Sequence, residues 1–109
     1  MTDYVAVLTR NYRGFEWSLS GNDYSGLLWH SDSAKPSKAT LDAAWPAVRD
    51  ALAWDEVRTK RDGLLAASDW TQVADAPVDA AAWAVYRQAL RDVPQDFASP
   101  DDVVWPAAP

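Results

Sequence analysis

Residues 15–30 read FEWSLSGNDYSGLLWH, and this stretch decides the fold class. Phe15, Trp17 and Leu19 alternate strictly with polar residues, so three apolar side chains lie on one face of a predicted β-strand. A polar turn follows, and a second short apolar segment ends at Trp29. The pattern predicts two antiparallel strands whose apolar face needs a cover, because so small a sheet is marginally stable alone.

The residues before this pair are predicted to form a third strand. Residues 4–9 read YVAVLT, and NYRG at 11–14 supplies a turn in which Gly14 accepts a positive φ. Residues 1–33 are therefore predicted to form a small antiparallel β meander. Residues 34–109 are predicted to form a helical module, and we expect the two parts to make one compact unit.

Helical spacing replaces alternation further along the chain, where apolar residues recur every three or four positions from Leu41 to Val48. Pro46 interrupts this pattern. A proline inside a helix costs about 3 kcal/mol, because it lacks an N–H group and its ring clashes with the preceding turn. We therefore predict a short helix over about 38–45 and a second one from Pro46 to about residue 67.

A last helix is predicted over about 80–92, with Asp79 as its N-cap and Pro94 at its end. Residues 94–109 hold four of the seven prolines, which favours an extended segment. The predicted fold class is thus α+β, with a small N-terminal antiparallel β meander, about three α-helices and an extended C-terminal tail.

The composition argues against several kinds of site. The net charge of −6 disfavours a nucleic-acid partner, because such binding requires that phosphates be neutralised. There is no cysteine and only one histidine, His30, so thiolate chemistry and a multi-histidine zinc site are excluded. His30 is followed by Ser31 and Asp32, but residues adjacent along a strand do not make a catalytic triad. We expect no enzymatic activity and no cofactor.

Metal and membrane binding are also not expected. The aspartates near residues 69–79 lack the ligand spacing of an EF-hand. No stretch reaches the roughly 18 continuous apolar residues that span a bilayer. The sequence therefore predicts a soluble protein that folds in a cytoplasm.

Four motifs in the second half of the chain occur in a familiar order. They are RDGLLAASDWTQ at 61–72, DAP at 75–77, WAVYRQALRD at 83–92 and VVWP at 103–106. In this order and spacing they resemble the bacteriophage tail assembly chaperone family, which also occurs as a module in tail fibre assembly proteins. The resemblance covers roughly residues 55–107.

The resemblance implies a non-enzymatic protein that binds phage tail or tail-fibre proteins in the host cytoplasm during assembly. It leaves open whether the protein forms a homo-oligomer and whether it remains in the virion. Two alternatives are a permanent minor virion component, such as a fibre adaptor or decoration protein, and a glycan-binding module. In the glycan-binding module, Trp17, Tyr24 or Trp29 would present flat faces to sugar rings.

The motif positions supply the candidate binding residues. The rings at 70, 83, 86 and 105 are expected either to form one small core or to leave one or two exposed as anchors for a partner. The arginines at 87 and 91 are expected either to clamp the preceding loop through Asp69 or Asp75, or to contact a partner. The candidate partner-binding residues are Trp70, Trp83, Tyr86, Arg87, Arg91, Phe97 and Trp105.

Overall fold

The structure is a computed structural model that describes all 109 residues. It has the predicted α+β class, with a two-stranded antiparallel sheet near the N-terminus, three helices and a short C-terminal tail. The elements are α1 (Tyr4–Asn11), β1 (Trp17–Leu19), β2 (Leu27–Trp29), α2 (Lys38–Ser68) and α3 (Ala80–Asp96). Short 3-10 turns occupy Tyr24–Gly26, Asp69–Gln72 and Pro100–Asp102.

The chain divides into two compact units. The N-terminal unit is Met1–Arg49 and the C-terminal unit is Asp50–Pro109, so α2 contributes residues to both. The predicted division into 1–33 and 34–109 stays a prediction.

The predicted strand at residues 4–9 is wrong, because α1 occupies this stretch. The Asp3 side chain caps the helix by accepting a hydrogen bond from the Ala6 amide at 3.0 Å. Val7 and Leu8 are fully buried. A short apolar run fits a helix as well as a strand, and here the cap and one buried face favour the helix.

The predicted antiparallel pair around residues 15–30 is confirmed as a hairpin, although the third strand is missing. In its register Trp17 lies opposite Trp29 and Leu19 lies opposite Leu27. Leu27 is 2% exposed, and the other three side chains of this face pack against the same core. The turn uses Gly21 at φ +69°, a conformation that L side chains rarely adopt.

The predicted helix break at Pro46 is also wrong. The helix α2 continues from Lys38 to Ser68 with Pro46 inside it. Pro46 is exposed, whereas Leu41 and Val48 on either side of it are 0% and 3% exposed in the core of the N-terminal unit. Burying two such side chains contributes about 3–6 kcal/mol, which is enough to offset the cost of the proline.

The last helix begins where the sequence predicts. The Asp79 side chain caps α3 by accepting from the amides of Ala81 and Ala82, both at 3.1 Å. The helix continues past Pro94 to Asp96, so the predicted end at Pro94 is wrong. A proline this close to the C-terminus interrupts few helical hydrogen bonds, and α3 also buries Val93 beside it.

Each unit has its own buried residues. The core of the N-terminal unit contains Tyr4, Val7, Leu8, Leu27, Leu41 and Val48. The buried residues of the C-terminal unit are Ser68, Thr71, Tyr86, Arg87, Leu90 and Val93. None of the helices combines the length and apolar character needed to cross a membrane.

Candidate functional site

Three aromatic rings of the C-terminal unit form a stack that runs from its interior to its surface. Tyr86 is 9% exposed and packs edge-to-face on Trp83, with ring centroids 5.6 Å apart. Trp83 is half-buried and contacts Trp70, with centroids 6.4 Å apart. Trp70 is 51% exposed. We call these three rings the aromatic stack (Tyr86, Trp83 and Trp70). It exposes one indole ring to solvent, and that ring packs on a half-buried ring and, through it, on a buried one.

The local sequence explains how the stack is built. Trp83 and Tyr86 are three residues apart on α3, so they are neighbours on one helix face. Trp70 comes from the 3-10 turn Asp69–Gln72, which follows α2 directly. Within that turn the Thr71 hydroxyl donates to the Ser68 carbonyl at 2.6 Å.

A buried arginine fixes this turn to α3. Arg87 is 8% exposed, and its Nη1 donates to the Leu65 carbonyl and to Ser68 Oγ, both at 2.7 Å. Its Nη2 donates to Asp69 Oδ1 at 2.6 Å. We call these contacts the arginine latch (Arg87 with Leu65, Ser68 and Asp69). The clamp considered from the sequence is thus present through Asp69, and Asp75 takes no part in it.

The remaining candidate residues lie apart from the aromatic stack. Arg91 is exposed one turn beyond Arg87, and its Nη1 makes a 3.4 Å contact with Gln88 Oε1. Phe97 is half-buried at the C-cap of α3. Trp105 is half-buried, and its ring stacks under Lys60 Nζ, which lies 4.7 Å from the centroid. The expectation that four rings form one small core is therefore wrong, since Trp105 contacts none of the other rings.

Sequence reasoning missed Ser68, which is 4% exposed at the end of α2. Its hydroxyl accepts from Arg87 and donates to the Leu64 carbonyl at 2.9 Å. A serine near a helix end is common, so nothing in the sequence marks this one as part of a latch.

Charge is distributed unevenly between the two units. Residues 1–49 carry five Lys and Arg and five Asp and Glu, a net charge of zero. Residues 50–109 carry five Lys and Arg and eleven Asp and Glu, a net charge of −6. The C-terminal unit therefore carries the whole net charge of the chain.

The groups with shifted pKa values lie in the N-terminal unit. Tyr4 Oη donates to Asp42 Oδ1 at 2.7 Å, and Lys38 Nζ donates to Asp42 Oδ2 at 3.0 Å. Hydrogen bonds from Tyr4, Thr2 and Lys38 lower the pKa of Asp42 from 3.8 to about 2. Hydrogen bonding to the same carboxylate raises the pKa of Tyr4 and that of Lys38. The cluster borders a cavity of about 470 Å³, and its polar groups bond one another and so join α1 to α2 within this unit.

The residues considered for catalysis do not converge. His30 is exposed and its Nε2 lies 3.2 Å from Ser18 Oγ. The neighbouring Ser31 Oγ instead accepts from the Glu16 amide at 2.6 Å. No group of three or more His, Asp or Glu side chains is placed to hold a metal ion.

The fold and this surface define a small α+β protein whose C-terminal unit is an acidic helical module with an aromatic stack. The family described as "Phage tail assembly chaperone protein" matches residues 54–109, just over half of the chain. The chain belongs to the phage tail assembly chaperone family. The matched residues all lie in the C-terminal unit and contain the aromatic stack and the arginine latch. Comparisons with curated proteins and with solved structures give no match.

Proposed function

We propose that the protein acts in phage tail or tail-fibre assembly by binding another phage protein, without catalysis, through the aromatic stack. The observation that carries this proposal is the exposure of Trp70, at 51%, within the family-matched part of the chain. Tryptophan is among the residues most enriched at the energetic centres of protein interfaces.

The arginine latch supports this function because it fixes the turn that carries Trp70. An anchor held in place before binding loses less conformational entropy when the partner docks. Trp70 and Trp83 are proposed to contact the partner directly, and the exposed Arg91, which lies apart from the stack, is proposed as a further contact. Tyr86 and Arg87 are buried, so their proposed role is to position the ring at the surface.

Phe97 and Trp105 are proposed as further contacts outside the stack. Both are half-buried, so part of each ring is accessible. The proposed partners are tail or tail-fibre proteins, and the proposed place of action is the host cytoplasm. The net charge of −6 on the C-terminal unit disfavours nucleic acid and anionic membranes as partners.

The test is co-purification of the protein with co-expressed phage tail and tail-fibre proteins. Trp70→Ala is expected to weaken the complex about 30-fold or more, the effect of losing an interface centre worth about 2 kcal/mol. Val85→Ala is the matched control, because Val85 is 73% exposed but lies two positions from Trp83, on another face of α3. A complex that tolerates Trp70→Ala as well as Val85→Ala would refute the proposal.

The two alternative functions are less well supported. The side chains considered for sugar binding are partly engaged within the chain, because Tyr24 Oη donates to the Pro36 carbonyl and Trp29 Nε1 to the Ser33 carbonyl. A permanent minor virion component would be retained in purified virions, whereas an assembly factor would be absent from them. Mass spectrometry of purified virions separates these two outcomes.

A further inference from the structure

A groove on the C-terminal unit runs along α2, and the C-terminal segment borders one part of it. It consists of two adjoining cavities of about 290 and 500 Å³, which share Glu56 and Lys60 in their lining. We call it the α2 groove, and its large apolar lining residues are Leu52, Val57 and Trp105. We propose that the α2 groove binds a basic segment of a partner protein, in which Lys or Arg side chains alternate with apolar ones.

The apolar part of the groove can bury side chains of moderate size. Leu52 is 39% exposed and Trp105 is half-buried, so both offer surface that a ligand can cover. Burial of apolar surface contributes roughly 25 cal/mol per Å². Burial of an apolar side chain of the ligand in this groove would therefore stabilise the complex.

The charged residues of the groove determine which segment fits. Glu56 and Asp101 line the cavity beside Trp105, and neither carboxylate takes part in an ion pair of the chain. Asp55, which lines the second cavity, pairs with Arg58 at 3.6 Å. The cation of the groove, Lys60, already stacks on the Trp105 ring. A lysine or arginine of the ligand would thus meet two available carboxylates next to apolar surface.

The charge of the whole unit supports the same partner. Its net charge of −6 attracts a cationic segment and repels nucleic acid, anionic lipid and the same unit of a second copy. The inference rests on the proposed function only in taking the ligand to be a protein. The α2 groove shares no residue with the aromatic stack, so the two surfaces can be tested separately.

The probe is a fluorescein-labelled twelve-residue peptide of alternating Arg and Leu, titrated with the full-length protein and followed by fluorescence anisotropy. Two comparison peptides replace every Arg by Glu or every Leu by Ser. The Arg-Leu peptide is expected to bind at least about tenfold more tightly than either one, and to bind more weakly as salt increases. Equal binding of the Arg-Ser peptide, or no binding of the Arg-Leu peptide at about 1 mM protein, would overturn the proposal.

A pair of double variants separates the groove from the overall charge. Glu56→Gln with Asp101→Asn removes the two carboxylates that line the cavity beside Trp105, and Asp75→Asn with Asp96→Asn removes two exposed carboxylates that line neither cavity. Both changes raise the net charge by two. The groove pair is expected to weaken peptide binding about tenfold and the control pair less than threefold. Equal losses from the two pairs would mean that only long-range charge attracts the peptide.

The same variants distinguish failure of this inference from failure of the proposed function. If the groove pair leaves peptide binding intact while Trp70→Ala still abolishes co-purification, the α2 groove is not a binding site but the aromatic stack is. If the groove pair weakens the peptide and Trp70→Ala leaves the complex intact, the groove is a binding site and the stack is not.

Discussion

Arg87 donates three hydrogen bonds that connect α3 to the end of α2 and the turn after it. Its side chain is 9% exposed, and the guanidinium donates to a main-chain carbonyl, a hydroxyl and a carboxylate that belong to the end of α2 and the turn after it. Removal of this side chain would leave the Leu65 carbonyl and the Ser68 hydroxyl without their charged donor. Leaving buried polar groups without a partner lowers the free energy of unfolding far more than the loss of the surface ion pair with Asp69 would by itself.

Arg87→Ala is therefore expected to lower the free energy of unfolding by about 2–4 kcal/mol, because it removes two hydrogen bonds from a buried charged group. The measurement is urea unfolding followed by far-UV circular dichroism. Arg91→Ala is the matched control on the same helix, and its exposed side chain predicts a change of less than about 0.5 kcal/mol. Similar losses from the two variants would contradict the latch.

The Asp42 carboxylate predicts how the N-terminal unit responds to pH. Its pKa falls from 3.8 to about 2 in the folded chain, so the stability it contributes is complete above about pH 4 and is lost as the pH falls towards 2. Asp42→Asn is expected to flatten this acid limb of a plot of Tm against pH. Asp32→Asn, an exposed carboxylate of the same unit, serves as the control and should retain the limb.

At high pH, stability is instead lost as the pH rises. The pKa values of Tyr4 and Lys38 are raised, so their contribution is complete below about pH 10 and is lost as the pH rises further. Tyr4→Phe is expected to reduce this alkaline loss. It should also raise the pH at which the acid loss occurs, because Asp42 then lacks its first hydrogen-bond donor. An unchanged profile would mean that the phenol does not stabilise the carboxylate.

The elements show where sequence reasoning succeeds and where it fails. The N-cap at Asp79 and the strand pair at Trp17 and Trp29 could be predicted, because each depends on a local residue type or a strict alternation. The helix α1 could not be separated from a strand by period alone, and Asp3 was the available signal. The helix break predicted at Pro46 is wrong because the free-energy cost of the proline is smaller than the free energy gained by burying residues on both sides of it.

The candidate site shows the same limit. Trp83 and Tyr86 could be predicted to lie together, since they are three positions apart on a helix. The contact of Arg87 with the Leu65 carbonyl could not, because any residue supplies a carbonyl and leaves no mark in the sequence. Likewise, one alternative drawn from the sequence put Trp105 in a core with the other rings, but its packing beside Lys60 depends on the path of the tail.

Pro46 also offers a test of α2 as an element. Pro46→Ala restores a backbone N–H within a continuous helix, at an exposed position where the new side chain meets no steric obstacle. The variant is expected to raise the free energy of unfolding by about 1–3 kcal/mol in urea unfolding. Pro100→Ala is the control, because Pro100 begins a 3-10 turn where no such N–H is needed, and it should give no increase. A loss of stability in Pro46→Ala would show that α2 requires the proline.

At the scale of the whole molecule, charge and family membership coincide. The neutral unit, residues 1–49, lies outside the family match, and the unit with a net charge of −6 contains all of it. Both proposed binding surfaces belong to the acidic unit. Trp105 in the last part of this unit both packs beside Lys60 of α2 and lines the α2 groove.

Truncation after Ser99 tests how firmly the C-terminal segment is held. It removes Trp105, whose ring would bury about 150–250 Å² if fully covered, and half of that area is worth about 2 kcal/mol. The truncated chain is expected to melt several degrees below the full-length protein in differential scanning calorimetry. Truncation after Pro106 keeps the ring and removes only three exposed residues, so its Tm should not change. If both truncated chains melt like the full-length protein, the half-buried indole of Trp105 does not hold the tail, and its proposed role is limited to contact with the partner.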